Sequence, residues 1–562
     1  MKEFKTDILI AGGSFGGISA ALAAAKAGCR VIVTEETSWI GGQATTQGVP
    51  LDEHPWIEKF GASSSYMSFR NKIRDYYRRN YRLTTPAQYD RYLNPGACWV
   101  SALGFEPRTG VAVLEEMLAP YRTNGLVQIW TNYRPCEVEI DGDLCRSVTF
   151  RSTITNAERV VSAPYILDAT ELGELLELGG IEHVTGAESR SQTGEPLAPE
   201  VADPLRQQPF THLIALEYRP GEDHTIDKPS HYEEYHSCFK ALKGISSTVN
   251  AKEAMGFSIP DGLFAESQPN RYTTSIWNFR RYFYHGNFDP DIFTSDITVL
   301  MNGNEYHDGV LCGVVEDEAK RHMKRAREQT LSLLYFLQTE AIPGYMGKPG
   351  FPGLNPRPDV FGSEDGLAQY PYIRESRRIL AEYTVVEQDF RIDMNPDGPV
   401  RYKDSVGLAG YRIDIHEAAR DGKQSITNAE HGHHWTQQIP LGALIPVRVE
   451  NLLPCCKNLG VTHITNGSFR LHPVEWNIGE AAGALAAYCL RNGYTPRQVR
   501  NNGKLLNGFQ AELSKRGVEL EWPQMSFGRS YFSEKRNMSG WYFGEADKLP
   551  STHSKPIDSD NS

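Results

Sequence analysis

Apolar and polar positions along the chain predict its first elements within forty residues. Ile8, Leu9 and Ile10 form a short apolar run. Gly12-Gly13-Ser14-Phe15-Gly16-Gly17 breaks it, and Ile18–Lys26 is Ala-rich and strongly helical. Gly28 stands at a helix C′ position, and Val31-Ile32-Val33 is a second apolar run with Glu35 at its end. Further along, Gly110–Asn124 predicts a helix, Val127–Thr131 a strand, and Cys136–Thr153 a hairpin through Asp141-Gly142-Asp143. Val160–Thr170 reads as one buried strand, and Val315–Ala341 as one long amphipathic helix. Tyr370–Leu380 is charge-rich and ends strand-like, while Val406–His416 and Ile439–Val447 read as short strands. Asn451–Gly460 predicts a strand, followed by a polar loop and an Ala-rich helix opened by Gly479. Tyr494–Lys515 reads as helical, and Asp547–Ser562 as a polar, disordered tail.

Strand, glycine turn, helix and strand over Asp7–Glu36 form a βαβ unit suited to a dinucleotide. The turn lets the backbone approach a pyrophosphate, and the helix N-terminus offers it free N–H groups. Glu35 is placed to accept from a ribose hydroxyl, and its charge repels a 2′-phosphate. In the frame Gly12, Ser14, Gly17, serine replaces the middle glycine and is small enough for close approach. An ordinary glycine-rich turn is the bland alternative.

At 562 residues the chain exceeds one typical core, so several structural units are expected. A formal net charge of −12 argues against a nucleic-acid binder, whose surface should be basic. The nine cysteines are scattered and lack C-x-x-C spacing, which argues against a disulfide framework or a zinc ribbon. With no leader-like segment before the first strand and no apolar run of bilayer length, a soluble cytoplasmic protein is expected. From Ile181 to about Pro358 the composition turns aromatic and turn-rich, as an inserted substrate unit would be. The basic-aromatic run Arg70–Arg82 reads either as a pocket wall or as a solvated helix with buried aromatics.

The stretches IAGGSFGGISAALAAAKAG, IGGQAT, LDATELGE, YIRESRRI and NLLPCCKNLG…GEAAGALAA resemble the FAD-dependent oxidoreductases related to the succinate dehydrogenase and fumarate reductase flavoproteins, with a glutathione-reductase-type FAD fold. The resemblance covers Asp7–Thr45, Tyr165–Gly173 and Tyr370–Asn492. It implies an α/β fold: a discontinuous Rossmann-like FAD-binding domain over 1–50, 90–180 and 359–500, with an inserted mixed α+β substrate or cap domain over 51–89 and 181–358. A helical extension over 501–546 and the tail 547–562 would follow. The cofactor implied is FAD, held without a covalent link, since no histidine follows Gly42 where some relatives carry one. Expected cofactor-binding residues are Gly12, Gly13, Ser14, Phe15, Gly16, Gly17, Glu35, Glu36, Gly41, Gly42, Gln43, Thr45, Asp168, Ala169, Thr170, Gly479, Ala481 and Ala482. Asp168 reads equally well as a cap for the next helix. The turn before Gly479 would lie beside the isoalloxazine.

Candidate catalytic residues are His463, Arg470 and His472 in the closing loop and Arg374 in YIRESRRI. Each also has a structural reading, as a loop hydrogen bond or an ion pair; Arg470, for instance, could pair with Glu475. On a strand, Arg374 and Ser376 would face one side, and Glu375 and Arg377 the other. The histidines of His431-Gly432-His433-His434 do not make a convincing metal site, and none is expected. The expected activity is dehydrogenation of a small organic substrate by hydride transfer to flavin N5, with reoxidation by oxygen or another acceptor. Reduction of an activated alkene, or FAD as a structural or redox-sensing ligand, are the alternatives. The expected partner is a small molecule, with no nucleic acid and no membrane insertion; a homo-oligomer is left open.

Overall fold

Local sequence at the glycine turn dictates the first crossover. In the computed structural model, which describes residues 2–237, 239, 276–301, 303–341, 348–416 and 434–523, the strands Ile8–Ala11 and Val31–Glu35 flank a helix over Phe15–Lys26. Ser14 caps that helix, its hydroxyl accepting from the Gly17 amide at 3.1 Å. Gly12 has φ +101°, and a Cβ there would meet the Ala169 carbonyl oxygen at 2.1 Å. Only glycine allows that packing.

Five parallel strands make the central sheet, in the order Leu452–Pro454, Tyr165–Asp168, Ile8–Ala11, Val31–Glu35, Val127–Thr131. Ile8 pairs with both Val31 and Tyr165, so the first strand is central and fully buried. The fold is thus α/β and Rossmann-like. A second sheet combines Lys2–Lys5, Glu158–Ser162, Leu144–Ser152 and Tyr133–Asp141. Its hairpin turns at Gly142, φ +61°, as the D-G signal predicts. Within 181–358, an antiparallel sheet of Arg281–Phe283, Ile297–Leu300, Ile214–Tyr218 and Leu354–Pro356 accompanies the long helix Glu316–Thr339.

Several expectations are corrected. Val160–Thr170 is two strands in different sheets, because Ala163-Pro164 breaks the run. Strand pairing after Asn451 ends at Pro454, and Val461 leads into a helix over His463–Phe469, capped by Thr462. Ile439–Val447 turns from the strand Gln437–Pro440 into a 3-10 turn at Leu441. Only Arg378–Ile379 of the charge-rich segment is strand, so no two-faced alternation orders Arg374 to Arg377. Gly479 does not open a helix: the closing helix runs from His472 to Asn492, with Pro473 in its first turn. The helical expectation for Tyr494–Lys515 resolves into Pro496–Asn501 and Gly503–Lys515. The stretch 431–433 and the tail from 524 lie outside the described residues. Among the described residues no helix is long and apolar enough to cross a membrane.

Candidate functional site

The carboxyl ends of the central strands open into a cleft, the place where doubly wound sheets hold ligands. Gly12, Glu35, Glu36, Gly42, Thr46, Ala169, Thr170, Glu171, Glu174 and Tyr370 line it. Glu35 ends its strand with both oxygens engaged: Oε2 accepts from the Gly13 amide at 2.9 Å, and Oε1 from the Thr37 amide and hydroxyl. Burial pushes Glu35 and Asp168 each up to about 7, and Glu36 well above the ordinary carboxylate value. Asp168 accepts from Thr170 through Oδ1 and caps no helix; Gly173 precedes the next one. Carboxyl groups lining the cleft suit ribose hydroxyls, which donate to them.

The first helix and the closing helix meet here. Gly16 and Gly17 are packed where a Cβ would strike the Cys455 carbonyl oxygen at 1.9 Å and the Gly12 carbonyl oxygen at 2.4 Å. Glu475, in the first turn of the closing helix, accepts the Gly16 amide at 2.9 Å and the Gln43 side-chain amide. The Lys457 ammonium lies 2.6 Å from Glu171 and 3.4 Å from Glu475, all deeply buried. Burial alone would raise Glu475, but Lys457 and the Gly16 amide bring it below its usual value. The ligand atoms of Glu171, Cys456 and Glu475 lie within 4.8 Å of one another, but Lys457 supplies the cation among them. Gly41 has φ +107° and its amide donates to the Gly13 carbonyl, so the Gly41–Thr45 loop rests on the glycine turn. Thr45 turns inward and donates to the Ile40 carbonyl.

Not every expected cofactor residue faces the cleft. The Phe15 ring packs against Tyr66, Phe69 and Trp476, so only its backbone belongs to the turn. A Cβ on Gly479 would meet the Gly16 carbonyl oxygen at 1.9 Å, and Ala481 and Ala482 are buried farther along the same helix. Gly479 is small because two helices cross there. Buried polar atoms near the glycine turn nevertheless lack partners: Gln43 Oε1 and Asp168 Oδ2, and His472 Nε2 beside the Phe15 ring. A set of orphaned donors and acceptors beside the glycine turn fits a bound dinucleotide that satisfies them.

A second polar region lies where 181–358 meets the rest. Arg374 Nη2 reaches Glu305 at 2.7 Å, and Nη1 donates to the Pro209 carbonyl and Thr211 hydroxyl. His416 bridges Glu305 (2.7 Å) and Asp414 (3.3 Å), and Asp414 also holds Arg470 at 2.9 Å. Burial opposes ionisation of Asp414, but Arg412, His416 and Arg470 keep it well below its ordinary value. Arg470 also donates to the Tyr372 hydroxyl at 2.8 Å, so its partners are Asp414 and Tyr372 rather than the alternative, Glu475. His463 Nδ1 meets Glu375 Oε2 at 2.8 Å, and His463 lines a small pocket with Glu188, Glu195, Ala198 and Arg206. Gln208 joins the halves, donating to Glu375 and Asn466 and accepting the His416 amide. His472 stands apart from this network, against Phe15 and Asp52.

Sequence reasoning missed Lys457, Glu305, Asp414 and Gln208. Lys457 carries a signal: a lysine after Leu452-Leu453-Pro454-Cys455-Cys456 sits in an apolar strand end and needs a buried carboxylate. The other three come from segments far apart in the chain. Within the basic-aromatic run, Arg70 is buried against Glu53 and Glu58, and Arg74 against Glu58.

A family model described as FAD dependent oxidoreductase matches residues 7–513. No curated protein sequence matches the chain. Among solved structures it is similar to a geranylgeranyl bacteriochlorophyll reductase-like protein from Thermoplasma acidophilum, at 11% identity and TM-score 0.33 over 92% of this chain and 85% of that one. It is similar to L-proline dehydrogenase from P. horikoshii at 14% identity and TM-score 0.18, over 33% of this chain and 24% of that one. It is also similar to 3-ketosteroid-Δ4-(5α)-dehydrogenase from Rhodococcus jostii RHA1 at 15% identity and TM-score 0.19, over 32% and 49%. The chain thus spans less than half of either dehydrogenase, and their substrates are properties of those proteins.

Proposed function

The chain belongs to the FAD-dependent oxidoreductases, and from that premise we propose that it dehydrogenates a small organic molecule bound where the 181–358 segment meets the sheet-bearing part of the chain. Bound FAD supplies a two-electron acceptor. Gly12, Gly13, Ser14, Gly16 and Gly17 would hold it through their backbone, without a covalent link. Glu35 and Glu36 would take its ribose, and Gly41, Gly42, Gln43, Asp168, Ala169 and Thr170 would line its path. Oxygen or another acceptor would complete the cycle, in a soluble cytoplasmic protein.

The observation that carries the reading is His463 in the lining of a small pocket, with Glu375 on its Nδ1. Burial works against the Glu375 charge, but His463 and Arg378 hold its pKa down, so the carboxylate stays ionised. In a neutral ring, a carboxylate at Nδ1 fixes the proton there, and Nε2 is the nitrogen that would accept one from substrate. Arg470 and Arg374 would orient the substrate, each having a buried Nε without a partner. The cavity walls come from both sides: Glu188, Glu195 and Arg206 from the 181–358 segment, His463 and Ile464 from the closing region. Replacement of His463 by Ala is expected to slow substrate-driven flavin bleaching by roughly a hundredfold or more, with FAD retained. Unchanged bleaching rates in stopped flow would remove His463 from the chemistry.

A further inference from the structure

His472 is the first residue of the closing helix, and its side chain is fully buried. Its Nδ1 lies 3.0 Å from the Asp52 amide and accepts that N–H. A ring nitrogen that accepts carries no proton, so the neutral ring holds its proton on Nε2. Nε2 is buried and has no hydrogen-bond partner among the described residues. The ring lies edge-on to Phe15, 5.9 Å between centroids, at the N-terminus of the first helix. It therefore stands where the glycine turn and the closing helix converge.

We infer that His472 is a fixed, neutral hydrogen-bond donor whose Nε2–H serves an acceptor atom of FAD at this meeting of helix N-termini, and that it carries no proton in the reaction. The inference rests on the cofactor's placement proposed above, not on the substrate chemistry. Four charged groups face the ring: Asp52 and Glu475 favour a second proton, while Arg280 and Lys457 oppose it. Burial outweighs them and brings the ring down to about 4, so it stays neutral through the physiological range. A buried donor without an acceptor is unfavourable, and a ligand that supplies the acceptor binds more tightly for it.

Two substitutions separate the donor from the anchor. In His472→Asn the side-chain oxygen can still accept from Asp52, but no donor reaches the Nε2 position. In His472→Gln the amide group can reach that position and donate. FAD affinity of the holoprotein is expected to fall about tenfold in H472N, with a lowered flavin reduction potential, and to return most of the way in H472Q. Equal behaviour of H472N and wild type, or H472Q no better than H472N, overturns the donor role. Nitrogen-15 NMR of histidine-labelled wild-type protein reads the tautomer without any substitution. It should report a neutral Nε2–H ring for His472 from about pH 5.5 to 8, and a ring that gains a proton in that range refutes the inference. A failed dehydrogenase assay leaves both readouts untouched.

Discussion

Replacing Gly479 by Ala distinguishes a helix crossing from a flavin contact. The added Cβ would lie 1.9 Å from the Gly16 carbonyl oxygen, 2.4 Å from Ser19 Oγ and 2.5 Å from the Gly16 carbonyl carbon. Two of these atoms are backbone, so the helices themselves must move. Relief to 3.0 Å, the limit below which real Cβ contacts essentially do not occur, requires 3.0 − 1.9 = 1.1 Å of separation. Overpacking of this kind destabilises by about 3 kcal/mol, and the better helix propensity of alanine returns about 1 kcal/mol. The net loss of roughly 2 kcal/mol should lower the apparent Tm of the cofactor-free protein by on the order of 2 °C. Gly503, with open space around its Cβ position, is the control; G503A should be neutral or slightly stabilising. Thermal melts and urea titrations of apoprotein measure both. If apo G479A matches wild type while its FAD affinity falls, the crossing argument is wrong and Gly479 belongs beside the flavin.

Lys457→Met should destabilise the protein by about 3–5 kcal/mol, because Glu171 and Glu475 would share a buried site with no cation; wild-type stability of K457M in urea would remove the ion cluster from the account. Glu195 gives a pH test. Burial raises it from 4.5 to about 8, so the folded protein keeps its proton where the unfolded chain releases it. Its stabilising contribution is complete below about pH 4.5 and is lost as pH rises through about 8. Between about pH 5 and 8, wild type should lose on the order of 3 kcal/mol relative to E195Q, and parallel stability profiles would contradict the burial argument.

What the chain discloses by itself is what short-range patterning controls. Val127–Thr131 is a strand over the same residues that its apolar run marks, and Val315–Ala341 contains the helix Glu316–Thr339. The βαβ unit is legible because turn, cap and helix all lie within thirty residues. Gly479 misleads for a physical reason. A glycine beside an Ala-rich run signals a helix start when it breaks a helix, yet it also permits two helices to touch, and only the position of Gly16 tells which applies. The candidate site was legible in its residue types but not in its pairings. A pair with Glu475, five residues away, is one reading the sequence offers for Arg470, and Arg470 meets Asp414 instead. Glu475 turns to Gly16 and Lys457, contacts that only the folded chain creates.

Anaerobic mixing of the purified, FAD-loaded protein with a panel of small organic substrates tests the central claim most directly. At least one substrate should bleach the visible flavin band in stoichiometric amount, oxygen or another acceptor should restore it, and H463A should bleach far more slowly with the same FAD content. Bleaching by chemical reductants alone, with colour restored by an activated alkene, would contradict the dehydrogenase reading and make the protein a reductase.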